Sequence, residues 1–134
     1  MTDLLLKNAK LADGTVTDIA ISGGVIAELG ANLTKAGAEV LDCTGLVALP
    51  GFVDLHTHLR EPGFEQSETI LTGSQSAAAG GFTAVHAMAN TMPVQDTAGV
   101  VEQVQALGAA AGYVDVVPVG AVTVGLEGKQ LSEI

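Results

Sequence analysis

From residue 46 onward, apolar runs of strand character alternate with stretches of helical spacing, and that alternation restricts the chain to a parallel sheet. The runs 46–58, 82–89 and 114–121 read as strands, with Pro118 predicting a bend or break in the last. Between them, 67–79 predicts a helix whose inner face is small (Ile70, Ser74, Ala77, Ala78) and which stops at Gly80-Gly81. A second helix is predicted to start at a cap on Asp96, to repeat Val100, Val104, Leu107 and Ala111 at helical spacing, and to close at Gly112. Parallel strands joined by helices need right-handed crossovers, which an open sheet or the start of a (β/α)8 barrel would satisfy. A full barrel takes about 250 residues, and this chain has 134. Residues 131–134 look like the first turn of a further helix, so the chain reads as an N-terminal fragment.

The segment before residue 46 has a different rhythm. Leu4, Leu5 and Leu6, then 18–21, 25–29 and 39–42, are short apolar-rich stretches separated by the turn pairs Asp13-Gly14 and Gly23-Gly24 and by a loop over 30–38. This predicts a small β layer, giving two parts: a β segment over 1–48 and the first three β/α units over 49–134.

The first long strand ends in chemistry. Residues 50–63 read PGFVDLHTHLREPG, an apolar run suited to a strand buried on both faces, followed by His56, His58 and Arg60. Side chains alternate along an extended chain, so Asp54, His56, His58 and Arg60 are expected on one side, at the C-terminal end of the strand. Two imidazoles there can hold a divalent metal such as zinc. Arg60, the sole arginine of the chain, offers a planar fork for a carboxylate. Asp54 is expected to accept from backbone or from a ligand imidazole rather than to bind metal. His86, inside the second strand, is expected to be structural; Glu61 and Glu65 read as loop charges, and Pro62-Gly63 as turn-forming residues.

Composition removes several classes of function. The net charge is −10, from 15 acidic against 5 scattered basic residues, which argues against nucleic acid or an anionic membrane surface as partner. No apolar run reaches the roughly 18 residues of a membrane span. One cysteine, Cys43, excludes an internal disulfide, fits a reducing compartment and reads as a small buried hydrophobe. The first ten residues lack a basic stretch before an apolar core, so no signal peptide is expected and the location is read as cytoplasmic.

PGFVDLHTHLREPG resembles the signature of the dihydroorotases of the amidohydrolase superfamily, and GGFTAVHAMANTMP resembles that family's second strand and its asparagine loop. The likeness continues through VDVVPVGAVT and includes the β layer, similar to the family's composite sandwich; HLREPG is its most specific part. The resemblance implies the N-terminal fragment of a metal-dependent hydrolase with a (β/α)8 TIM barrel, preceded by a small β-sandwich segment. It implies a zinc enzyme, with one or two ions, that reversibly closes N-carbamoyl-L-aspartate to L-dihydroorotate in pyrimidine synthesis. His56 and His58 would match metal ligands, and His58, Arg60 and Asn90 substrate contacts.

The family's bridging carboxylate, two further histidines and acid/base aspartate have no matching position in these residues, so the chain alone is expected to be inactive while a full-length parent is active. A second copy of the parent or aspartate carbamoyltransferase would be its protein partner. Alternatives are a hydantoinase or allantoinase, which usually differ where Arg60 stands, and a non-catalytic dihydroorotase-like subunit, which usually lacks the metal-binding histidines that this chain keeps.

Overall fold

The computed structural model describes residues 3–134, which divide into two compact units meeting at Pro50/Gly51. The first unit is a four-stranded sheet of β1 (Leu4–Lys10), β2 (Val16–Ser22), β3 (Val25–Gly30) and β4 (Glu39–Asp42), in the order β3-β2-β1-β4. β1–β2 and β2–β3 are antiparallel, as the Asp13-Gly14 and Gly23-Gly24 turns require, whereas β4 joins β1 in parallel. Ala9, Ile19 and Cys43 form a small core with Leu6, Leu11, Ile21 and Ala48 around it.

β1 is interrupted between Leu6 and Ala9, where Asn8 takes a left-handed φ of 59°. The buried Asp18 carboxylate fills the irregularity: it accepts from the Asn8 amide (2.9 Å), the Leu33 amide (3.0 Å) and the Lys7 ammonium (2.5 Å). These bonds, the Lys7 one first, hold the Asp18 carboxyl below the ordinary carboxylate range.

The second unit holds β5 (Phe52–Thr57), α1 (Ile70–Ala79), β6 (Phe82–Ala87), α2 (Ala98–Ala111) and β7 (Asp115–Pro118). Its three strands are all parallel, in the order β5-β6-β7. Leu59, Ile70, Val85, Ala87, Val104 and Val114 make the buried core between sheet and helices. Val104 and Ile70 are 0% and 1% exposed, so each contributes about 1.5–3 kcal/mol of apolar burial. The small residues on the helices permit this contact: a Cβ at Gly108 would lie 2.5 Å from Val116 Cβ, and one at Gly73 2.6 Å from Leu59 Cδ2.

Several local expectations are corrected. α1 begins at Ile70 because Thr69 caps it in a reciprocal bond pair with Thr72. Thr97, not Asp96, occupies the cap position of α2, and the Asp96 carboxylate instead accepts from the Gly125 amide (2.7 Å). β7 covers only Asp115–Pro118 of the expected 114–121, ending at the proline where a break is predicted, although the Val119 amide still bonds Ala87 O. Residues 131–134 are not a helical turn: Leu131 bridges Thr123 and Glu133 bridges Thr97. β5 is not buried on both faces either, since Val53 and Leu55 are 53% and 69% exposed on the side away from the helices. Among the described residues, no helix is long and apolar enough to cross a membrane.

Candidate active site

The β5–β6 ladder shifts register twice: β6 has an extra residue between the Phe52–Phe82 and Val53–Ala84 pairs, and between Asp54–Val85 and Thr57–Ala87 it is β5 that has one residue more than its neighbour. The second shift is a bulge in β5, and it reverses the facing of everything after it. Asp54 lines a groove toward α1 with Thr57, Leu59 and Gly73, whereas His56 and His58 line a groove on the opposite side with Met88 and Asn90. The alternation expected from the sequence therefore fails at Asp54, which does not share a side with the histidines. Its carboxylate accepts from the His56 backbone amide (2.9 Å), satisfying a donor that lies within the irregular stretch of the β5–β6 ladder.

Beyond the bulge the strand ends are held level. The Met88 amide donates to Thr57 O (2.8 Å) and the Val119 amide to Ala87 O (2.8 Å), bringing the C-terminal ends of β5, β6 and β7 to one mouth. The groove there has a volume of about 370 Å³ and is lined by His56, His58, Asn90, Val119 and Thr123 among others. The two imidazoles sit edge-to-face with centroids 5.1 Å apart. His58 Nδ1 and Asn90 Oδ1 are 2.8 Å apart, across 32 residues of sequence. His86 stays apart from this pairing: its Nδ1 lies 3.3 Å from the Asp54 carbonyl oxygen. Among the described residues no three His, Cys, Asp or Glu side chains converge as a metal-binding set. The histidine pair is suited to supply two imidazole donors, fewer than the three protein ligands usual for catalytic zinc.

Arg60 opens the next loop with φ 62°, a left-handed conformation that is uncommon for a side chain of this size. It is exposed and makes no ion pair among the described residues. Its carbonyl accepts from the Phe64 amide (2.9 Å), closing the turn. Two loop acids have structural partners: Glu61 accepts from the Ile70 amide at the start of α1 (2.7 Å), and Glu65 from the Gly63 amide (2.7 Å). The Gly63 bond holds the Glu65 carboxyl below its usual range. The Arg60 loop also touches the Asn90 loop directly, through a bond from the Met92 amide to Pro62 O (2.9 Å).

One residue of this region carries no signal in the sequence. Gln95 is fully buried; its side-chain Nε2 donates to Met88 O (2.8 Å), its backbone amide donates to Ala89 O (3.1 Å), and its backbone carbonyl accepts from the Ala121 amide (2.7 Å). It fastens the loop that carries Asn90 to the segment after β7. A lone glutamine between Val94 and Asp96 follows no period or motif, so only the fold reveals it.

The chain is similar to known proteins in sequence and in fold. The chain is 66% identical over 130 residues to a dihydroorotase of Leifsonia xyli subsp. xyli, covering 97% of this chain and 30% of that protein. A dihydroorotase of Streptomyces coelicolor is 59% identical over 134 residues, covering 100% and 31%. The chain thus spans about a third of the length of these curated relatives. Among solved structures, the L-hydantoinase (dihydropyrimidinase) from Arthrobacter aurescens superposes with a TM-score of 0.79 at 28% identity, over 92% of this chain and 28% of that one. The α/β fold is that of the N-terminal part of an amidohydrolase TIM-barrel enzyme. The profile of the family described as Dihydro-orotase-like matches residues 45–134, and with whole-chain identity to named dihydroorotases, this chain belongs to the dihydroorotase-like family.

Proposed function

We propose that the chain is the N-terminal part of a dihydroorotase, which reversibly closes N-carbamoyl-L-aspartate to L-dihydroorotate in pyrimidine biosynthesis. The observation that carries this reading is the meeting of His56, His58 and Asn90 on one groove, beside the Arg60 loop, in a chain 66% identical to a dihydroorotase. His56 and His58 would hold zinc, as one or two ions, with the remaining ligands supplied from outside these 134 residues. Bound zinc supplies activation of water and polarisation of the amide carbonyl under attack.

The chain's own residues then bind and orient. Arg60 presents a fork to the substrate carboxylate, and its guanidinium is in no ion pair among the described residues that would compete. Asn90 has amide donors for the same anion. Asp54 fixes the backbone of His56 and so the placement of that imidazole. The acid/base aspartate is expected outside this chain, so the 134 residues alone are not sufficient for turnover. The same reading makes a second copy or aspartate carbamoyltransferase the partner of the parent protein, and the cytoplasm its location.

The structural likeness to a hydantoinase favours a second reading, a cyclic amidase acting on a neutral ring. Arg60 separates the two, because a substrate with a free carboxylate needs it. In the full-length parent, Arg60→Met is expected to lower kcat/KM for carbamoyl-aspartate by about 10²-fold or more, as loss of a charged substrate contact does, with zinc content unchanged. A wild-type parent that turns over hydantoins but not dihydroorotate would sink the first reading. A non-catalytic subunit is disfavoured by the retained His56 and His58, and metal analysis of the parent tests it.

A further inference from the structure

We infer that Asn90 is a positioning residue for His58, selecting the tautomer in which Nε2 is free for metal, in addition to any contact it makes with substrate. The inference rests on the dihydroorotase reading and deepens it. Its basis is the 2.8 Å contact between His58 Nδ1 and Asn90 Oδ1. An amide oxygen can only accept, so Nδ1 carries the proton, and a neutral imidazole with its proton on Nδ1 has its lone pair on Nε2. A metal-binding histidine commonly has its second nitrogen held in this way by a neighbouring acceptor.

The same bond fixes the Asn90 amide. With Oδ1 engaged by His58, the Nδ2 donors have no hydrogen-bond partner among the described residues and belong to a side chain that lines the groove. One amide therefore serves two ligands through opposite ends: its oxygen sets a metal-binding nitrogen, and its N–H groups remain for an anion. The support behind it is rigid, because the Met88 amide bonds Thr57 O (2.8 Å) and Gln95 Nε2 bonds Met88 O (2.8 Å). Occupancy at either ligand would order the amide for the other, which couples metal and substrate binding.

The test uses the full-length parent, stripped of metal, with zinc affinity read by competition against a chromophoric chelator. Asn90→Ala removes acceptor and donors together and is expected to weaken zinc binding 10- to 100-fold. Asn90→Asp keeps an acceptor for Nδ1–H but loses the donors, so zinc affinity should stay at or above the wild-type value while KM for carbamoyl-aspartate rises at least 10-fold. A second readout is independent of metal: long-range 1H–15N spectra of the metal-free protein should show His58 protonated on Nδ1 in the wild type and in Asn90→Asp, and not in Asn90→Ala. Wild-type zinc affinity in Asn90→Ala, or an Nε2-protonated His58 in the wild type, overturns the inference. A wild-type parent that binds no zinc overturns the dihydroorotase reading instead, and the His58 spectrum still decides the role of Asn90.

Discussion

Gly63→Ala in the full-length parent should separate the two loops that carry Arg60 and Asn90. Gly63 has φ +99°, and a Cβ built there would lie 2.2 Å from the Met92 carbonyl oxygen and 2.5 Å from Met92 Cβ. Ordinary contact begins at 3.4 Å, so the two backbones are more than 1 Å too close for any side chain at this position. The obstacle cannot swing aside as a flexible side chain would, since the Met92 amide is bonded to Pro62 O. Left-handed backbone costs alanine about 1–2 kcal/mol, and forced overpacking adds about 1–3 kcal/mol. The total is about 2–5 kcal/mol. Gly112→Ala, in the same unit, is the control: φ is +70° there and the nearest atom is 4.0 Å away, so it meets the backbone strain without the clash. Equilibrium unfolding in urea should place Gly63→Ala at least about 1 kcal/mol below Gly112→Ala. Steady-state kinetics should add a loss in kcat/KM for carbamoyl-aspartate of up to about 10²-fold, the effect of a misplacement of about 1 Å. Equal stability of the two variants, with unchanged kinetics, would refute the idea that contact between these loops positions the site.

Two further outcomes follow from buried polar groups. The Asp18 carboxyl is held below its ordinary range, chiefly by Lys7, so its ionised form stabilises the fold above the unfolded carboxylate pKa, and that stabilisation is lost as pH falls through the lower folded value. Stability measured from about pH 5 down to pH 2 should therefore fall less steeply in Asp18→Asn than in wild type, and parallel curves would show that the Lys7–Asp18 pair contributes nothing. Gln95→Ala leaves a buried cavity and an unpaired Met88 carbonyl, at an expected cost of about 2 kcal/mol or more in urea unfolding; a variant as stable as wild type would mean that Gln95 does not hold the Asn90 loop.

How far the site could be read from the sequence is clearest along β5. The apolar run, the histidine pair and Arg60 are visible because residue type and near-neighbour spacing are properties of the sequence itself. The facing of Asp54 is not, because it depends on how many residues of β5 match those of β6, and the three steps from Asp54 to Thr57 against two from Val85 to Ala87 exist only once the strands pair. Asp96 is a second case. It has the chemistry of a helix cap, yet the Gly125 amide, 29 residues away, takes its carboxylate and Thr97 is left at the cap position.

By itself the sequence determined the alternation of elements, the β layer, the parallel sheet and the histidine pair with its arginine, since propensity, periodicity and turn chemistry act within a few residues. Tertiary structure alone decided the bulge that turns Asp54 toward α1, the His58–Asn90 bond across 32 residues, the close approach of Gly63 to Met92 and the buried anchoring by Gln95. These depend on pairs of groups brought together by strand pairing and loop packing, and a hydrogen bond or a steric contact between distant residues leaves no mark on the local pattern of either one.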